Sequence, residues 1–392
     1  QDPIKATKSE CFSIATSRWE VKMAAVTFAR SASRASSKVL GGTARGFSGL
    51  SAMVDDFPSF EPVPATYLPQ PTGVTETTLE NGVKVVTVDT GKPAACLGVS
   101  VGAGSRHEIA SEAGSALLLK HMAFKATSTR SDIRLARDVE AAGLTVSAEA
   151  GRESILYAVS GTTEGLEVGM TALGETVTSP KMQGWEVEEI KAGLVLKELS
   201  LASVDPQLIL METLHEAAYG PDTPMGLPYV TNPKSITADS LKSFMSTNYV
   251  PSKMTVIGSG ISHESLEGMA GCYFGSLPRA EAPITPPCPF TGGFARVKAE
   301  AAMTHVALGF SAADAAVALV LKHLLAAAAS DAMIASFALR YSDSKLVGLC
   351  GAAEPNAAGH MVETFAAAMN AAANANDDAV AMAKLAAKTA VL

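Results

Sequence analysis

The six residues Ala116-Leu117-Leu118-Leu119-Lys120-His121 return later in the chain as Ala318-Leu319-Val320-Leu321-Lys322-His323, and their surroundings return with them. A strand-like run precedes each copy: Leu97-Gly98-Val99-Ser100-Val101 in the first, Val306-Ala307-Leu308-Gly309-Phe310 in the second. A further pair follows, Tyr157-Ala158-Val159-Ser160-Gly161 and Val347-Gly348-Leu349-Cys350-Gly351, each leading into a helical pattern. Three matches in the same order imply a duplicated unit, and so two related bodies instead of one continuous core. The spacing between copies shrinks along the chain, so the second copy has lost residues, most of them between His323 and Tyr341. Most of Pro180–Phe274 has no counterpart in it, and the second unit reads as incomplete.

Each unit mixes strands and helices. Glu80-Asn81-Gly82 between Thr77-Thr78-Leu79 and Val83–Val88 is a hairpin signal, and Leu97–Val101 alternates as a strand. Helical patterns cover Ser111–Phe124, Ser131–Ala142, Thr163–Thr176, Trp185–Leu201, Pro206–Ala218 (with Asp205 as N-cap), Ala238–Asn248 and His263–Tyr273. Strands are expected at Leu144–Ala150, Ser154–Val159 and Met254–Ile257. Strand pairs with helices on one face predict an α+β fold: two homologous domains, each a mainly antiparallel sheet with helices packed on one side. The first domain is placed at residues 75–276, a proline-rich linker at 277–293 and the incomplete second domain at 294–392.

The formal net charge of -8 leaves no electrostatic footprint for nucleic acid. Cys11, Cys96, Cys272, Cys288 and Cys350 are widely spaced, which indicates reduced thiols and neither a zinc ribbon nor a disulfide framework. No apolar run approaches the roughly 20 residues of a membrane helix; the best, Ala315–Ala329, is broken by Lys322 and His323. At the N-terminal end, residues 1–22 precede a plausible initiator, Met23, and read as translated leader or artefact. Residues 23–47 carry Arg30, Arg34, Lys38 and Arg45 among Ser and Ala, with no acid until Asp55, the pattern of a mitochondrial transit peptide. Arg45-Gly46-Phe47-Ser48 resembles a matrix processing site cut between Phe47 and Ser48. Residues 48–74 form an extended, proline-rich lead-in.

The first repeated helix has the frame of a metal site without its chemistry. An inverted zincin needs His-x-x-Glu-His there, two imidazoles one turn apart and a glutamate to activate the metal-bound water. In this chain the first histidine position is Leu117 and the glutamate position is Lys120, so only His121 remains, with Glu198 where a third ligand would stand. Leucine offers no lone pair, and an ammonium repels a dication. Two ligands without a general base do not make a hydrolase, so no catalytic residue and no metal site is expected. Two arrangements are open for these side chains: an ion pair of Lys120 with Glu198 or another carboxylate, or separately solvated side chains. His107, His215 and His263 read as structural residues, the last at a helix start.

These residues resemble the mitochondrial processing peptidase family, which includes the two core subunits of ubiquinol–cytochrome c reductase, respiratory complex III. The resemblance runs from about Thr75 to Gly351. Val101-Gly102-Ala103-Gly104-Ser105-Arg106-His107-Glu108 looks like the family's Ala-Gly-Ser-Arg-Tyr-Glu segment, and His121-Met122-Ala123-Phe124-Lys125 like the end of its metal helix. Trp185-Glu186-Val187, Leu214–Tyr219 and Tyr341–Gly348 look most like the core 2 branch. The resemblance implies a non-catalytic scaffold on the matrix side of the inner membrane. It would be bound to a core 1 or β-peptidase homologue and to cytochrome b and cytochrome c1, touching the membrane only through them. Haem and iron–sulfur groups would belong to those partners, so no cofactor is expected here. The alternative is the substrate-binding α subunit of the processing peptidase. That subunit's mark is a glycine-rich loop in the second half, and Leu324–Arg340 has no glycine, although residues are missing there.

Overall fold

A computed structural model describes residues 73–88, 94–298, 302–329 and 333–391. The leader, the transit peptide with its Phe47–Ser48 site, and nearly all of the lead-in lie outside the described residues. The described residues begin with a hairpin, β1 (Val74–Thr78) and β2 (Lys84–Val88), closed by the turn at Gly82, whose φ of 100° suits glycine. Strand β3 (Ala94–Val101) leads to helices α1 (Ser115–His121) and α2 (Asp132–Ala141). Next come the antiparallel pair β4 (Thr145–Ala150) and β5 (Ile155–Thr162), then α3 (Leu166–Thr178). Helix α4 (Gly184–Ile190) passes through a π-helical stretch, Lys191–Val195, into α5 (Leu196–Val204), and α6 (Pro206–Tyr219) follows. Helix α7 (Ala238–Asn248), strand β6 (Met254–Ser259) and helix α8 (His263–Phe274) complete the first unit.

The second unit is β7 (Thr304–Ser311), α9 (Ala315–Ala328), β8 (Ile334–Arg340), β9 (Lys345–Ala353), α10 (Ala358–Ala373) and α11 (Asp377–Val391). The first sheet has the order β1-β2-β6-β3-β5-β4 and the second β7-β9-β8. Every pairing is antiparallel except β2 with β6. The α+β expectation therefore holds, and so does the duplication: the order β3-β5-β4 of the first sheet is the order β7-β9-β8 of the second.

Burial explains why helices gather on one face. Leu97, Val99 and Val101 of β3 point into a large core with Ile155, Tyr157 and Val159 of β5 and the apolar sides of α1, α3 and α8. The opposite face of the same strands offers only a small patch of Cys96, Ala158 and Leu156. In the second unit Val347 and Leu349 of β9 pack on Phe365 and Ala368 of α10, a much smaller cluster.

Two helix expectations need correction, and two further features carried no expectation. The helix read over Ser111–Phe124 is only Ser115–His121, because Gly114 sits at φ 93° and separates it from a 3-10 turn at Ala110–Glu112. At its other end Phe124 takes φ 58°, which stops the helix. The helix read over Trp185–Leu201 is interrupted by the π-helical stretch. The two copies differ in register: Leu97 is opposite Val159, whereas its counterpart Val306 pairs with Gly351 and Leu308 with Leu349. That slip is of two residues, which keeps every side chain on its own face and so costs no burial. Finally, Ile334–Arg340 is a strand that the sequence reading passed over; the residues missing from the second copy are those that form α2 in the first.

Candidate functional site

Helix α1 is fixed from its first turn. Glu108 accepts the N–H groups of Gly114 and Ala116 at 2.7 Å each, occupying donors that a helix N-terminus leaves open. A Cβ at Gly114 would stand 3.0 Å from the Thr231 carbonyl oxygen and 3.1 Å from Pro233 Cβ, so position and conformation both demand glycine. Leu117, at the first histidine position of the motif, is 1% exposed and is simply core.

Lys120 and His121 face the α5 helix. Lys120 Nζ lies 2.8 Å and 2.9 Å from the two carboxylate oxygens of Glu198, a two-point contact. His121 Nε2 lies 2.6 Å from Glu198 Oε2, so this ring nitrogen donates. The three side chains are partly exposed, at 25%, 16% and 26% for Lys120, His121 and Glu198. Burial alone would raise the Glu198 carboxyl. Hydrogen bonding and charge from Lys120, then from His121, outweigh it and hold the group below the usual glutamate range.

The π-helical stretch aims Glu198. One residue more or less in a helix turns everything downstream by about 100°. The stretch itself packs against α1 and is anchored by buried Val195. Glu198 thus comes to face Lys120 and His121 of α1. Regular α-helical winding through Lys191–Val195 would turn it aside.

The residues present do not fit a zinc ion. Leu117 contributes nothing, and the Glu198 oxygens are taken by an ammonium and an imidazole N–H. Among the described residues no group of three or more His, Cys, Asp and Glu is arranged to hold a metal ion. The arrangement is an ion-paired brace between two helices.

Three further histidines, His107, His215 and His263, have hydrogen-bond partners. The Gly104 N–H donates to His107 Nδ1 at 3.1 Å, and burial, then Lys253 and Arg106, push His107 down to about 4. His215 Nδ1 is 2.6 Å from the Met211 carbonyl, which can only accept, so that nitrogen carries the proton and Nε2 accepts from the Tyr341 hydroxyl at 2.6 Å. His263, first residue of α8 after the N-cap Ser262, lies 2.6 Å from Thr77 Oγ1 and 2.8 Å from Thr87 Oγ1. Sequence reasoning placed Arg106 and Glu108 in the family-like segment Val101–Glu108 without giving either a role, and it missed the π-helical stretch. The role of Glu108 could have been found, as an acid just ahead of a Gly-led helix. Nothing local marks the other two.

This architecture matches known profiles. That of the insulinase peptidases, family M16, covers residues 84–229, and that of the M16 peptidase inactive domain covers residues 235–386. The chain belongs to the M16 peptidase family. It is similar to the mitochondrial-processing peptidase α subunit of Solanum tuberosum, 32% identical over 273 residues, covering 69% of this chain and 54% of that protein. A probable α-2 subunit from Arabidopsis thaliana, described as chloroplastic/mitochondrial, is 29% identical over 365 residues, 84% of this chain and 73% of the relative. The β subunit of Bos taurus is 32% identical over 229 residues, 57% of this chain and 46% of the relative. The chain thus spans about half the length of the potato and bovine relatives. The two profiles meet between residues 229 and 235, whereas β6 is hydrogen-bonded into the first sheet. The profile division therefore falls ahead of the structural one.

Proposed function

We propose that this chain is a non-catalytic subunit of the processing-peptidase type, retained for the surfaces it offers to partners. In its finer form the reading is core subunit 2 of mitochondrial ubiquinol–cytochrome c reductase, supporting assembly and stability of that complex from the matrix side of the inner membrane. The observation that carries the non-catalytic reading is the two-point contact of Lys120 with Glu198, at 2.8 Å and 2.9 Å, where a hydrolase keeps an activating glutamate and a metal ligand. The resemblance of Tyr341–Gly348 and Leu214–Tyr219 to the core 2 branch supports the finer form. Its partners would be a core 1 or β-peptidase homologue, cytochrome b and cytochrome c1. Haem and iron–sulfur groups would sit in those partners. Among the described residues no helix is long and apolar enough to cross a membrane, so the membrane-embedded part would come from them too.

A second reading, the substrate-binding α subunit of the processing peptidase, is favoured by a specific observation: two of the relatives above are named as that subunit. Native fractionation of mitochondria separates the two. The scaffold reading expects the chain to migrate with a haem-absorbing membrane assembly. Migration only as a soluble dimer with a His-x-x-Glu-His partner would replace it with the α-subunit reading. In either case the mature N-terminus, read by mass spectrometry, should be Ser48.

A further inference from the structure

We propose that the turn joining β8 to β9, Tyr341-Ser342-Asp343-Ser344, is a latch that fixes the second domain at one angle on the first, with Arg106 as its central cation. Each of its four residues bonds outside the second domain. The Tyr341 hydroxyl donates to His215 at 2.6 Å, and Ser344 Oγ lies 2.8 Å from the Tyr219 hydroxyl, both on α6. The Ser342 N–H donates to Glu153 at 2.9 Å, and the Ser342 hydroxyl to the same carboxylate at 2.6 Å. Asp343 takes both arms of the Arg106 guanidinium, at 2.8 Å through Nη1 and through Nη2, and also accepts the Cys288 N–H at 2.8 Å.

Arg106 is 4% exposed and joins three parts of the chain. Besides Asp343, its Nη1 donates to Glu153 of the β4–β5 turn at 2.6 Å, and its Nη2 to the Pro286 carbonyl of the linker at 3.1 Å. One guanidinium therefore holds two carboxylates, one from each domain, that would repel without it. An apolar cluster lies beneath, with Ala218, Tyr219 and Met225 from the first domain, Cys288 from the linker and Leu346 from the second, and helix α6 also packs along β7. Arg106 and Glu108 share the connection from β3 to α1, so the latch stands on the segment that also caps the helix of Lys120 and His121. The Tyr341 stretch is thus spent on contacts within the chain.

The charge count gives a test that packing loss alone would not reproduce. In the full chain with Cys11→Ser and Cys350→Ser, dyes go on the exposed Cys272 of α8 and on a Lys384→Cys site of α11. Single-molecule energy transfer then reports the interdomain distance. The unaltered latch should give one narrow distribution. Arg106→Ala should add a second, longer-distance population; Asp343→Asn should add less, because Arg106 keeps Glu153. The double variant Arg106→Ala/Asp343→Asn should fall between them, since the repulsion is relieved. One narrow, unshifted peak in both single variants would overturn the proposal, as would an opening by the double variant greater than that of Arg106→Ala. If Arg106→Ala yields only aggregate, Asp343→Asn decides: an unshifted peak there is equally fatal.

Discussion

Lys120 and Glu198 occupy the positions that an inverted zincin gives to its activating glutamate and third ligand. A metal ion bridges two helices through lone pairs; here an ammonium and an imidazole N–H bridge them through one carboxylate. Lys120→Met keeps the aliphatic stem and removes the charge, leaving Glu198 half-buried with His121 alone. We expect a loss of about 1–2 kcal/mol in urea titration, above the usual exposed pair because both groups are partly shielded. The pH dependence has a definite sign. Glu198 is held below its ordinary value in the folded chain, so its contribution is complete above roughly pH 4.3 and fades as pH falls through the folded value. Glu198→Gln should flatten the acid limb of stability against pH, measured as urea midpoints; an unchanged limb would refute the pairing. Leu117→Ala, by contrast, should cost about 2–5 kcal/mol whatever the pH, because the residue is ordinary core.

Helix α7 spans Ala238–Asn248, the span its sequence predicts, because Thr237 and Ser240 cap it and Leu241 and Phe244 give it one apolar side. The helix carrying Glu198 was legible as helix but not as interrupted helix. Apolar periodicity over Trp185–Leu201 does not register one residue's worth of extra turn, and only packing against α1 reveals it. Deleting exposed Ala192 should restore regular winding, swing Glu198 away and raise hydrogen exchange in α1; unchanged exchange would show that the π-helical stretch does not aim it. Gly193→Ala meets nothing within 4 Å and should instead stabilise by about 0.5–1 kcal/mol. The repeat register was illegible for a related reason. Val306, Leu308 and Phe310 alternate against Val347 and Leu349, and any even slip satisfies the same alternation.

Across the whole molecule the two domains share a plan but not a depth of core. Strand β3 has five buried residues in succession, Ala95–Val99, whereas its counterpart β7 has none fully buried. Native-state hydrogen exchange should therefore be slower in β3 and β5 than in β7 and β8; equal protection would mean that the second sheet draws stability from contacts beyond its own small cluster. Duplication was readable because the repeated hexapeptide sits on a helix after a strand in both copies. The partner of Arg106 was not, since Asp343 lies in the other half of the chain and only the fold brings them together. Apolar side chains left outside both cores, among them Leu194, Leu201 and Val204 at 73% exposure, follow the helix that carries Glu198. An exposed apolar stretch of this kind is the sort of surface that partners cover.

The most direct test of the account is zinc retention. The purified full chain, dialysed against micromolar zinc and then against metal-free buffer, should hold no more zinc by elemental mass spectrometry than its Glu198→Gln variant. One equivalent per chain that disappears with Glu198→Gln would contradict the account, because Glu198 would then be a ligand and not the anion of a salt bridge.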